Sequence, residues 1–350
     1  MQLLEGWCRR PPGTRRSYES DVTEGFDRDV ERGAELIADL KLKTVARTQG
    51  NNAALKDGTV TPRGFAFDFE EVPVLIDGFR RMVRELEFDV SEMAITTYLC
   101  ARDHGVRFTA LPVFLVRAFH HGAVVHNTTA GIGSPKDLEG LRVGVNRGYT
   151  VTTGVWARGI LQDEYGVDLS KITWMLSGDE HVAEYRPPPN VERIEGDKKL
   201  ADMVASGELP AAIGISVDHP DVEPLIPNPT EAGFESLRAR GLYPLNHLVV
   251  IKDDLLEARP GLAAAVFDAF AEAKNVYVRR LRDGEIDDPS GADRFYERVM
   301  QLTGDPLPYG VEPNREMIDV LIRHAVTQKI LASPVEAEDL FAKETLDLIA

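Results

Sequence analysis

The stretch that most constrains this chain is Ser134–Leu161, SPKDLEGLRVGVNRGYTVTTGVWARGIL. Ser134-Pro135 opens a short helical turn, and Arg142–Val145 has the length and apolar character of a buried strand. Asn146–Thr150 is a polar loop, and Val151–Leu161 continues as a helix. A strand that feeds a helix through a polar loop commits the chain to layered α/β architecture. The first turn of such a helix leaves backbone N–H groups unpaired and carries partial positive charge, which suits an anion. Arg147 and the hydroxyls of Tyr149, Thr150, Thr152 and Thr153 add donors. The stretch therefore predicts a site for a small carboxylate.

The same alternation runs along most of the chain. Strands are predicted at Lys41–Ala46, Phe65–Val72, Phe88–Val90, Phe108–Val116, Ala123–His126, Ile172–Met175, Ala211–Ile215 and Tyr243–Lys252. Helices are predicted over Leu75–Leu86, Lys198–Ser206 and Arg259–Arg282, with further helices in Arg294–Leu348, and Arg47–Asn52 reads as a polar loop. At 350 residues two domains are expected. The division is an N-terminal extension over 1–38, disordered to Asp21 and partly helical over Asp27–Leu40, followed by two lobes. Lobe 1 is 39–128 with 243–350, and lobe 2 is 129–242. Pro187-Pro188-Pro189 marks a rigid loop, not a linker.

A net charge of −17, from 40 basic and 57 acidic residues, excludes a nucleic-acid surface but not a locally basic pocket. Cys8 and Cys100 fit neither a zinc site nor a disulfide framework. No run of eighteen apolar residues predicts a membrane span. The N-terminus lacks the apolar core of a signal peptide, so a cytoplasmic location is expected. The sequence leaves homo-oligomerisation open. No HxH, HExxH or CxxC spacing offers a local metal motif, and Gly131-Ile132-Gly133 is followed by Ser-Pro rather than completing GxGxxG. No organic cofactor is expected. A divalent metal has no motif behind it, although Glu92, one of His120 and His121, His181 and His247 could converge on one.

Asp137–Val145, Gly207–Ile213 and Ala258–Phe270 resemble segments of the type II periplasmic-binding-protein fold, over roughly residues 40 to 285. That resemblance implies two lobes hinged by two crossovers, with the ligand between them. Within the fold, Pro112–His121, Val145–Tyr149, Ser177–Val182 and Asn246-His247 resemble the 4,5-dihydroxyphthalate decarboxylase family. This implies a lyase that removes a carboxyl group from a dihydroxylated aromatic acid. Asn51 stands where an arginine is expected, a departure that weighs against a two-carboxylate substrate and leaves a related aromatic or enol acid open.

The residues offer these roles. Arg117 and Arg147 can hold a carboxylate bidentately. Glu92, in a strand-to-helix segment, is a base or a partner to an acid. His120, His121 and His247 are candidate general acids. His120 and His121 would point to opposite faces of an extended segment, so one at most should face the cleft. His247 interrupts an otherwise apolar strand, where burial without a partner is costly. Glu180, His181, Asn51, Asn246, Tyr149 and Thr150 are candidate substrate contacts, and Phe119 a candidate stacking partner. Each has a structural alternative: an interlobe ion pair for Arg117, a satisfied core group for the histidines, a solvated loop for Glu180 and His181. Two other functions fit the same pattern: a non-catalytic organic-acid receptor or sensor, and a biosynthetic enzyme acting on an enol-type acid.

Overall fold

The apolar runs read from the sequence assemble into two separate sheets in the computed structural model, which describes residues 40–196 and 198–350. The expected extension over 1–38, its helix and Cys8 lie outside the described residues.

The first sheet contains β1 (Leu40–Val45), β2 (Phe65–Phe69), β3 (Val90–Ala94), β4 (Phe108–Arg117) and β11 (Leu245–Lys252), in the order β2-β1-β3-β11-β4. Strands β1, β2 and β3 are parallel. Strand β11 returns from the far lobe and inserts antiparallel between β3 and β4. Helices α1 (Gly50–Lys56), α2 (Leu75–Glu85) and α3 (Ile95–Asp103) follow β1, β2 and β3. Pro112 is tolerated inside β4 because β4 ends the sheet, where a missing N–H interrupts no ladder.

The second sheet contains β5 (Val124–Asn127), β6 (Arg142–Val145), β7 (Thr173–Leu176), β8 (Val191–Arg193), β9 (Ala211–Ile213) and β10 (Val222–Pro224), in the order β10-β5-β9-β6-β7-β8. Its helices are α4 (Thr152–Tyr165), α5 (Leu200–Ala205) and α6 (Pro229–Arg240). Helices α7 (Asp253–Ala258), α8 (Leu262–Asp283), α9 (Gly291–Thr303) and α10 (Arg315–Thr327) complete the chain. The arrangement is the two-lobed, periplasmic-binding-protein-like α/β fold that the sequence resembles. Among the described residues no helix is long and apolar enough to cross a membrane.

Two expectations are corrected, and three elements are new. Strand β5 pairs with β9 and β10, so it belongs to the second sheet, and the chain leaves lobe 1 after Arg117 rather than after residue 128. The polar loop Arg47–Asn52 becomes helical from Gly50, because the Asn52 side chain turns back to accept the Gln49 N–H at 2.8 Å. Strands β8 and β10 and helix α6 had no sequence counterpart. The two strands are three residues long and polar, and α6 carries a proline at its start and Gly233 inside.

One apolar core runs through both lobes, and the central residues Leu248–Ile251 of β11 are fully buried in it. Leu248→Ala removes side-chain volume that neighbours on two strands cannot refill. It should cost about 2–5 kcal/mol, read as a lowered urea midpoint with an unchanged slope.

Candidate functional site

Glu92 sits in mid-β3 with 1 % of its surface exposed. A buried carboxylate needs donors, and it has three: the Arg47 N–H at 2.9 Å, Gln49 Nε2 at 3.3 Å and His247 Nδ1 at 2.6 Å. His247 comes from β11, whose register sets His247 opposite Ala94 and Val249 opposite Glu92. With Nδ1 committed to the carboxylate, Nε2 is the ring nitrogen left for the cleft. Phe79 of α2 packs edge-on against His247, with ring centres 5.2 Å apart.

His247 lines a cavity of about 330 Å³ between the lobes. Arg47, Phe79, Ala94 and Thr97 also line it from lobe 1, together with Asn246. Lobe 2 contributes Arg147, Val151, Thr152, Thr153 and His181. Arg147 has a left-handed backbone, φ 67°, a strained conformation for a residue with a side chain. The first turn of α4 faces the cleft, and Thr96 at the start of α3 meets it, with Oγ1 2.8 Å from the Thr152 hydroxyl and donating at 2.6 Å to the Thr150 carbonyl just before the helix. His181 is buried with Nδ1 unpartnered. Burial, then the charges of Arg80, Arg147 and Arg84, pushes its imidazole down to about 4.

The loop before α4 holds an anion, but the anion is the chain's own. The Glu180 carboxylate accepts the N–H groups of Tyr149 and Thr150, and the Thr150 hydroxyl at 2.7 Å. Gly148 is required there, since a Cβ would lie 2.4 Å from Glu180 Oε2. Tyr149 stacks on Arg158, 3.8 Å from guanidinium carbon to ring centre. Tyr149, Thr150 and Glu180 thus shape the cleft wall and do not line it, which corrects their reading as ligand contacts.

Four further residues leave the site. Arg117 is buried in the hinge, donating to Asn314 Oδ1 at 2.7 Å and to the Tyr243 carbonyl, with its guanidinium over the Tyr243 ring. Phe119 joins an aromatic cluster with Phe234 and Phe295. His121 is fully buried and bonds Glu164 at 3.1 Å. Asn51 donates to the Leu115 carbonyl at 2.9 Å, away from the cleft, so its identity says nothing about the charge of a ligand there. His120 stands behind the wall, with Nε2 donating to the Asn246 Oδ1 at 3.2 Å. Of the residues singled out in the sequence, His247, Asn246, Arg147, Thr152, Thr153 and His181 meet in the cleft, with Glu92 directly behind His247. Arg47 and Phe79 were not anticipated. A polar residue just past the carboxyl end of a parallel strand was the available signal for Arg47.

Among the described residues no three His, Cys, Asp or Glu side chains group as metal ligands. Convergence of Glu92, His120 or His121, His181 and His247 on one ion is therefore not what the fold assembles.

No family model matches the chain. It is 29 % identical over 292 residues to a 4,5-dihydroxyphthalate decarboxylase of Comamonas testosteroni, covering 77 % of this chain and 86 % of that protein. It is 33 % identical over 175 residues to a 4,5-dihydroxyphthalate decarboxylase of Pseudomonas putida, covering 46 % of this chain and 67 % of that protein. The chain belongs to the 4,5-dihydroxyphthalate decarboxylase family. The fold is also that of DSZB, solved as a cysteine-to-serine variant in complex with biphenyl-2-sulfinic acid. That structure has a TM-score of 0.50, 13 % identity, and covers 86 % of this chain and 96 % of that one. In this member of the decarboxylase family, the cleft couples a carboxylate–imidazole pair on one lobe to an arginine and a helix start on the other.

Burial also pushes His120 and His324 down to about 4. These imidazoles and His181 stay neutral in the folded chain while those of the unfolded chain protonate near 6.5. The unfolded state then binds more protons, so stability falls as pH drops from about 6.5 towards about 4. Urea midpoints at pH 7 and pH 5 should show that fall, and His120→Gln, which cannot titrate, should make it smaller.

Proposed function

We propose that this protein decarboxylates a hydroxylated aromatic carboxylic acid of the 4,5-dihydroxyphthalate type. The observation that carries this reading is the Glu92–His247 pair, buried at its carboxylate end and open to the cleft at its imidazole. Loss of CO2 from a phenolic acid requires a proton at the ring carbon that bears the carboxylate. The Glu92 carboxylate holds His247 through Nδ1, so that the ring's Nε2 faces the cleft and delivers a proton to that carbon. The para hydroxyl, its proton first given up to solvent, supplies the electron pair and becomes the neutral carbonyl of a dienone-like intermediate, and it takes its charge and then its proton back as the ring rearomatises. The bond to the carboxylate breaks, its electron pair restores the aromatic ring, and CO2 leaves. His247 regains its proton from water, so the net change is replacement of CO2 by a proton.

Arg147 and the first turn of α4 hold carboxylate from lobe 2, and Arg47 provides charge from lobe 1. Family membership supports decarboxylation as the reaction class, and the arginines support an acidic ligand. The carboxy-lyase assignment and the substrate are the proposal. A cytoplasmic setting for aromatic-acid breakdown belongs to the same reading.

The test is to supply 4,5-dihydroxyphthalate and a panel of hydroxylated benzoates and follow CO2 release with the change in ultraviolet absorbance. Turnover is expected with at least one of them. His247→Gln and Glu92→Gln should lower kcat by about 10²–10⁴-fold, while His121→Gln should leave the folded enzyme's kcat near the parental value. Full turnover in His247→Gln would sink the assignment of the acid. Saturable binding across the panel with no CO2 would place the chain with organic-acid receptors instead.

A further inference from the structure

We propose that the cleft closes on its ligand through a cross-lobe clamp in which Arg80 of lobe 1 and Arg147 with His181 of lobe 2 share one carboxylate. The clamp deepens the reading of the site as an acid-binding cleft and rests on it, adding Arg80 as a ligand residue and closure as its consequence.

The geometry begins on α2. Ile76, Arg80 and Arg84 follow one another at four-residue spacing and share a face of the helix. Ile76, at one end of this row, lines the cleft. Arg84, at the other, already reaches across to lobe 2, donating from Nε to the His181 carbonyl at 3.1 Å and from Nη2 to the Glu180 carbonyl at 3.0 Å. Arg80 lies between them, where α2 meets the loop that carries His181.

Three buried nitrogens at this junction have no hydrogen-bond partner: Arg80 Nε, Arg147 Nε and His181 Nδ1. His181 is only 3 % exposed and lines the cavity, as does Arg147. Native structures rarely leave buried donors unpaired without a reason, and an absent acceptor is one. Asp179, a carboxylate that feels the charges of Arg80 and Arg84, is already bridged to Arg193. Arg80 and Arg147 also act on each other as like charges across the lobe boundary.

These facts fix the chemistry of what fits. Two guanidinium groups and a neutral imidazole offer donors and no anionic acceptor, and a carboxylate has two oxygens able to accept from several of them at once. Without an anion the guanidinium pair pushes the lobes apart. With one it draws them together, because a ligand shifts an equilibrium by its differential affinity for the two states. Arg80 touches the ligand only when the lobes are closed, so it couples binding to closure.

Phthalate, which lacks ring hydroxyls, serves as the probe, since it separates binding from turnover. Titration calorimetry and small-angle X-ray scattering on the whole chain should show saturable phthalate binding with a decrease in radius of gyration. Arg80→Gln and Arg147→Gln should each weaken binding about tenfold or more, the loss of one charge-assisted hydrogen bond. The double variant should lose less than the two losses combined, since both residues hold the same group. Arg80→Gln should also abolish the compaction at saturating phthalate, and Arg80→Lys should restore part of it. Parental affinity and compaction in Arg80→Gln, or strictly additive losses, would overturn the clamp. So would failure of the parent chain to bind phthalate. If phthalate binds and compacts the chain while no phenolic acid releases CO2, the clamp stands and the decarboxylase reading falls.

Discussion

The site depends on how one carboxylate is buried. Glu92 lies inside a sheet, and removing a carboxylate from water costs several kcal/mol unless donors replace the lost hydration. Its three donors come from separate places: the turn after β1, the residue that starts α1, and β11. Each must be correctly placed for the carboxylate to be satisfied. His247 reaches Glu92 across 155 residues of sequence, through a strand that has left lobe 2 and re-entered lobe 1. A slip of β11 by one residue would turn His247 to the opposite face and leave Glu92 short of a partner. The pairing thus ties the return crossover, the β1–α1 turn and the orientation of the imidazole to a single electrostatic requirement.

The sequence disclosed the layered α/β class because hydrophobic periodicity is local, and β6 matches the predicted strand residue for residue. It disclosed His247 for a similar reason: a histidine within an apolar strand demands a partner. It could not disclose what satisfies a helix start when the acceptor lies thirty residues away. Asn146–Thr150 read as a ligand site, yet Glu180 takes the N–H groups of Tyr149 and Thr150, and only Arg147 and the following turn of α4 are left to the cleft. The same limit hid Arg47 and Arg80. Arg47 stands alone in a polar loop and Arg80 sits beside Arg81 in a helix with further charged neighbours, so neither is marked by its own segment, and only the tertiary neighbours set them apart. Asn51 shows the opposite error: a residue compared by position within a motif faces Leu115 and Tyr309 instead of a ligand.

Arg117, Phe119 and His121 looked functional because they are polar or aromatic and follow an apolar strand that points towards the cleft. That place is the crossover, and their work is to hold it. Arg117 meets the carbonyl of Tyr243, at the other crossover. His121 meets Glu164, which also binds Ser236 and Arg240. Phe119 packs against α6 and α9 through Phe234 and Phe295. Burial without exposed alternatives makes such groups rigid, since breaking one buried pair leaves a charge or donor uncompensated. A firm hinge leaves the cleft as the part of the interlobe boundary held by few bonds, those from Arg84 and Thr96 among them.

This division bears on how a two-lobed fold can support chemistry as well as binding. His247 and its carboxylate belong to lobe 1, whereas Arg147, His181 and the first turn of α4 belong to lobe 2. A ligand held by lobe 2 alone is bound but lies at no fixed distance from the acid. In the proposed reaction, closure converts that encounter into one of defined geometry and excludes water from the proton transfer, two effects that lower a barrier without any new functional group. The aromatic edge of Phe79 marks where the two halves must meet, since its ring lies 5.2 Å from that of His247 and 6.3 Å from that of His181. In the proposed reaction an aromatic substrate would be confined beside that ring, its carboxylate drawn to lobe 2 and the carbon to be protonated turned to His247. An organic-acid receptor needs only the first of these placements. The second is what the buried Glu92–His247 pair supplies in the proposed reaction.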